Sequence, residues 1–134
     1  MPRAARWVWV ILLLAMVGCT REEDYVEILR EQTAAVKETA DILATIQDEK
    51  TMAAAKSALD ERQAKFAAIT RKAKSLPPPS EKILLRLADE KFPMQAAINR
   101  LQTESKRVSE LPGGAEFMGQ LTSNSQGLWS AVKK

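Results

Sequence analysis

Side chains that could do covalent or metal chemistry are scarce in this 134-residue chain. It contains no histidine, which removes the commonest general base and the commonest metal ligand. No nucleophile–base pair of the triad kind can be assembled around Cys19, the only cysteine, or around the scattered serines. Carboxylates occur as Glu22/Glu23 and Asp89/Glu90, but neighbours in sequence point apart on a helix and make no acid–base dyad. Met52, Met94 and Met118 are too widely spaced for a Cu(I) site and read as core filling. Gly113-Gly114 lacks the lysine and the strand context of a phosphate-binding loop. These observations predict a protein that is not an enzyme and holds neither a metal nor a dissociable cofactor.

What precedes Cys19 assigns it a different chemistry. Arg3 and Arg6 form a positive leader, an apolar run extends from Trp7 to Val17, and Met16-Val17-Gly18-Cys19 closes the segment. The run is shorter than the roughly 20 residues a helix needs to span a bilayer. A charged start, a short apolar centre and a small residue before a cut site are the marks of a targeting segment. The layout resembles a bacterial lipoprotein signal peptide over residues 1–19, although Met16 stands where that family prefers Leu. The resemblance implies removal of residues 1–18. It also implies diacylglycerol on the Cys19 thiol, and in many bacteria an acyl chain on its new amine. At about 0.8 kcal/mol per buried methylene, two or three such chains anchor durably. Thr20, rather than Asp, follows the cysteine, which by the same resemblance implies the periplasmic face of a Gram-negative outer membrane. With one cysteine, the chain can form no internal disulfide.

Residues 19–134 remain as a single domain with a formal charge of +1. The charge is uneven: residues 21–61 hold 11 acidic and 5 basic side chains, and residues 62–107 hold 4 acidic and 11 basic. The basic half reads as a solvated helical face. Its alternatives are contact with anionic lipid headgroups or with a cell-wall polymer, and no nucleic-acid partner is expected at that destination.

The elements that must present this chain are helical. Ala, Leu, Glu, Lys, Arg and Gln dominate, and all favour helix. Thr20-Arg21-Glu22-Glu23 fits a capping box. Val26, Leu29, Val36, Ala40, Leu43 and Ile46 then recur at helical spacing, and the pattern resumes in a shifted phase from Met52 to Leu76. The shift across 47–51 reads as a stutter inside one long helix over about 21–75, with a break into two helices there as the alternative. Pro77-Pro78-Pro79 must end it, and Ser80 caps a second helix over about 81–111. Leu87, Met94, Leu101 and Val108, flanked by Leu84, Ile98 and Leu111, form its seam, with a kink or restart near Ala88 and Asp89 imposed by Pro93. Leu111-Pro112-Gly113-Gly114 is a stop, and a short amphipathic helix is expected over about 115–132. The fold class is therefore all-α, an antiparallel helical hairpin with a short third element. A helix over 21–75 would be roughly 80 Å long against about 45 Å for its partner, leaving apolar surface uncovered.

The function this implies is a lipid-anchored helical interaction module of the cell envelope, acting by localisation and helix–helix recognition. Val26, Leu29, Val36, Leu43 and Ile46 form the expected surface for a protein partner or for self-association, and the 77–80 turn is the expected distal tip. Two other readings stand beside it. The terminal Lys134 on an anchored helical protein is similar to the murein lipoprotein, whose C-terminal lysine is joined to peptidoglycan, and implies a cell-wall tether. A carrier or holdase for apolar ligands or clients would need an exposed Met- and Leu-lined groove.

Overall fold

The computed structural model describes residues 21–123 and 127–129, and every regular element among them is a helix. The helices are α1 (Glu22–Ala44), α2 (Glu49–Ser75), α3 (Glu81–Ala88), α4 (Lys91–Ser109) and α5 (Gly114–Ser123). The all-α class is as the composition predicts; the path of the chain is not.

The long helix expected over 21–75 is two helices, with a chain reversal at 45–48. Its cause is a capping box written in the residues that had read as a stutter. Asp48 Oδ1 accepts the Thr51 N–H at 2.8 Å, while Thr51 Oγ1 accepts the Asp48 N–H at 2.9 Å and the Gln47 N–H at 2.8 Å. These bonds satisfy the donors that open α2. On the other side of the turn, Thr45 Oγ1 donates to the Ile42 carbonyl, and Ile46 is fully buried. The turn is held by burial as well as by its caps.

The start of α1 is also displaced by one residue from expectation. Arg21 is the N-cap, and its N–H donates to the Asp24 carboxylate at 3.1 Å. Thr20 lies outside the described residues. Glu22, Glu23 and Asp24 occupy the first turn, where the helix dipole favours them.

Because of the extra reversal, α1 becomes the centre of the bundle, packed against α2, α3 and α4. Glu38 pairs with Arg62 at 2.7 Å, and Tyr25 donates its hydroxyl to the Pro77 carbonyl, so α2 runs antiparallel to α1. Arg30 meets Glu90, and Asp41 meets Arg100, so α4 runs parallel to it. A helix covered on several sides buries more than one stripe. Ile28, Ala35 and Thr39 are buried together with Val26, Val36, Ala40 and Leu43. The Thr33 and Thr39 hydroxyls donate to the Leu29 and Ala35 carbonyls at 2.8 Å, which settles two buried polar groups within the helix.

Pro77-Pro78-Pro79 ends α2, and Ser80 Oγ accepts the Ile83 N–H to open α3. The chain restarts after Asp89, and Pro93 falls in the first turn of α4, where its missing N–H breaks no intrahelical bond. Two glycines govern the stop after α4. Gly113 has φ +76°, and a Cβ on Gly114 would stand 1.7 Å from the Val108 carbonyl oxygen. The expected third helix over 115–132 is shorter, ending at Ser123; Leu128 and Trp129 are nevertheless buried in the common core. Residues 124–126 and 130–134 lie outside the described residues.

The chain does reverse at the prolines, but α2 packs on α1 and α5 rather than on α3 or α4, and the reversal is at the opposite end from that expected. The Tyr25–Pro77 bond puts the 77–80 turn beside the start of α1, so it is not the distal tip. The distal turns are those at 45–48 and 111–113. One additional pass of the chain inverts the position of every later turn.

Candidate functional site

The end of the bundle where Arg21 opens α1 collects the features of interest. The first turns of α1, the proline turn, α3 and the first turn of α4 meet there. Arg86 of α3 reaches Glu22 at 3.6 Å, joining α3 to the first residue of α1. Arg30 donates to Glu90 at 2.7 Å, which joins α1 to the start of α4. That hydrogen bond and the accompanying charge attraction raise the Arg30 pKa and hold the Glu90 carboxyl below the ordinary carboxylate range. Along α1, with Arg86 of α3 at its edge, runs an open groove of about 1080 Å³, and seven of its nine lining residues are charged, among them Arg21, Glu27, Arg30 and Arg86.

Arg30 and Arg86 are each matched to a carboxylate here, whereas Arg21, Glu23 and Glu27 make no ion pair among the described residues. Asp48, the other carboxyl with a depressed pKa, sits at the far end and is held by the Thr51 N–H and hydroxyl as a helix cap. No group of three or more His, Cys, Asp or Glu able to hold a metal occurs among the described residues. Nor is any helix among them long and apolar enough to cross a membrane.

The residues singled out in the sequence fall into two sets. Met16, Val17, Gly18, Cys19 and Lys134 lie outside the described residues. Val26, Val36, Leu43 and Ile46, expected to face a partner, are instead buried within this chain, and Leu29 is half-buried near Tyr25, Leu76 and Leu87. The expectation failed because it assumed an unbroken α1–α2 helix longer than its partner. Folded back at 45–48, the chain takes Val36, Leu43 and Ile46 into its own core, while Val26 lines the groove beside Arg30.

What the sequence reading missed lies on α3 and the first turn of α4. Leu84, assigned to the seam, is 52% exposed, and Leu85 and Phe92 are 70% and 79% exposed. The signal was present. Ile83, Leu84, Leu85, Leu87 and Ala88 make α3 apolar around most of its circumference, more than one packing face can use. Only Ile83 and Leu87 turn toward the bundle.

No protein-family model matches the chain, and no curated protein and no solved structure matches it significantly.

Proposed function

We propose that this chain is a non-enzymatic, lipid-anchored protein of the cell envelope, whose helical bundle is an interaction module held at the membrane through Cys19. The observation that carries the reading is the succession of Arg3 and Arg6, the Trp7 to Val17 apolar run and Met16-Val17-Gly18-Cys19, with α1 beginning only three residues beyond, at Glu22. So short a connection holds the bundle against the surface that carries the acyl chains. Thr20 after the cysteine supports an outer-membrane destination. The Arg30–Glu90 and Arg86–Glu22 pairs at the near end of the bundle, and the want of a nucleophile–base pair, support binding over catalysis.

With the α1 stripe buried, recognition of a partner falls to outward faces of the bundle. The carrier alternative has less support: seven of the nine residues lining the large groove are charged, and the apolar recess at Tyr25, Leu29, Leu76 and Leu87 holds about 170 Å³, small beside the roughly 300 Å³ at which ligand pockets begin. The cell-wall tether rests on Lys134 alone.

Metabolic labelling with a palmitate analogue, followed by mass spectrometry of the Cys19 peptide, tests the reading. Acylated Cys19, and loss of both label and membrane association in Cys19→Ala, are expected. An unlabelled chain that stays membrane-bound would overturn it.

A further inference from the structure

We propose that the outer face of α3 and the first turn of α4 forms a second membrane contact, lying on the phospholipid leaflet that holds the Cys19 acyl chains. The inference rests on the lipid-anchor reading and adds to it a specific surface and orientation.

Three features support it. Leu84, Leu85 and Phe92 are exposed apolar residues grouped on one stretch of chain. Asp89 (φ −67°, ψ −29°) and Glu90 (φ −83°, ψ −8°) both keep helical geometry, so α4 continues the direction of α3. At 3.6 residues per turn, Leu85, Ala88 and Phe92 then share one side of the combined helix. That side is opposite Ile83 and Leu87, which pack inward.

Charge accompanies the stripe. Residues 71–92 hold six basic and three acidic side chains. Arg71, Lys74, Lys82 and Lys91 make no ion pair among the described residues. Their long stems can lie along apolar surface while their heads reach anionic headgroups. Glu81 and Asp89 border the same face, and Asp89 is partly offset by Arg86 at 3.8 Å.

Reach fixes the occupant. Cys19 precedes Arg21 by two residues, which span at most about 7 Å. Arg86 binds Glu22 at the start of α1, so a leaflet holding Cys19 lies beside α3 and away from the 45–48 turn. Eight helical residues are about 12 Å long, which suits an element resting in the headgroup region and not one crossing the bilayer. Three exposed side chains also fall well short of the roughly 1,200 Å² that a stable protein interface buries, which argues against a second copy as the occupant.

The test uses the full chain expressed in an envelope-bearing bacterium, purified, and reconstituted in phosphatidylethanolamine–phosphatidylglycerol vesicles containing brominated lipid. One sample carries Phe92→Trp; a second carries Ala53→Trp, in the first turns of α2 at the opposite end. Trp129 is buried in both and supplies a common background. Quenching of the Phe92→Trp indole at least twofold stronger than that of Ala53→Trp is expected, and Leu84→Glu/Leu85→Glu should abolish the difference. Mass spectrometry of the Cys19 peptide separates the two claims. Acylated Cys19 with equal quenching at both positions overturns the second contact alone; unacylated Cys19 overturns both. Shielding at position 92 that grows with protein concentration, without bromine quenching, overturns it in favour of a second copy.

Discussion

The guanidinium of Arg107 closes the carboxyl end of α1, donating from Nη2 to the Leu43 carbonyl at 2.7 Å. Its Nη1 donates to the Ile46 carbonyl at 2.8 Å, and its Nε to Glu104 at 2.8 Å. One residue of α4 thus caps α1, fixes the 45–48 turn and sets the parallel register of the two helices. Hydrogen bonds from a charged donor contribute more than neutral ones, about 1.5–3 kcal/mol. Arg107→Met should therefore destabilise the bundle by about 2 kcal/mol. Arg107→Lys should recover only part of that, because a single ammonium cannot reproduce the planar fork across two carbonyls. Urea denaturation checks this; equal midpoints for wild type and Arg107→Met would show that water replaces the guanidinium without loss.

The Asp48–Thr51 cap gives the fold a defined acid sensitivity. The Thr51 N–H and hydroxyl hold the Asp48 carboxyl below its ordinary value. A carboxyl depressed in the folded state contributes its stability above the unfolded pKa and loses it as pH falls through the folded value. Asp48→Asn should thus have a lower urea midpoint than wild type at pH 7, with the gap narrowing progressively below about pH 4. A gap unchanged down to pH 2 would mean that the charge on Asp48 contributes nothing. Thr51→Val should be destabilising at every pH, since it strands the Gln47 and Asp48 N–H groups.

The stop after α4 predicts unequal glycine substitutions. Gly113→Ala forces a side chain into the left-handed region, at about 1–2 kcal/mol, with open space around it. Gly114→Ala places a Cβ against the Val108 carbonyl, which must move together with the end of α4. Gly114→Ala should lower the thermal midpoint more than Gly113→Ala does. The reverse order would show that the 111–113 turn relaxes freely.

Local signals in the sequence carried the helices and most of their ends: the prolines after α2, Ser80 before α3, the restart near Pro93 and the glycine stop. They did not carry the reversal at 45–48. Asp48 and Thr51 form the box, but Glu49, Lys50 and Thr51 are tolerated inside a helix too. What decides between turn and stutter is long-range, namely Arg107 on the Leu43 and Ile46 carbonyls and the burial of Ile46. The error then propagated. An over-long first helix left Val26, Val36 and Leu43 without a cover inside the chain, so they read as a partner surface. In the bundle Thr39 and Ala35 are buried as deeply, because α1 is enclosed by three neighbours. The converse error, at Leu84, arose because a heptad count cannot tell an inward leucine from an outward one in a short helix that is apolar nearly all round.

That reassignment has a direct test in paired substitutions. Val36 is 3% exposed and Leu59 is fully buried, whereas Leu85 is 70% exposed. Leu59→Ala should cost about 2–5 kcal/mol, the range for a deleted core leucine whose cavity collapses only partly. Val36→Asp buries a carboxylate in the apolar core, and it should leave the chain unfolded or molten under conditions where wild type is folded. Leu85→Ala should change the unfolding free energy by no more than about 0.5 kcal/mol, as surface changes do. Were α1 instead a docking stripe on an otherwise self-sufficient fold, Val36→Asp would keep a wild-type circular dichroism spectrum and a cooperative transition. Near-native stability of Val36→Asp, together with strong destabilisation by Leu85→Ala, would require α1 and α3 to exchange their inner and outer faces.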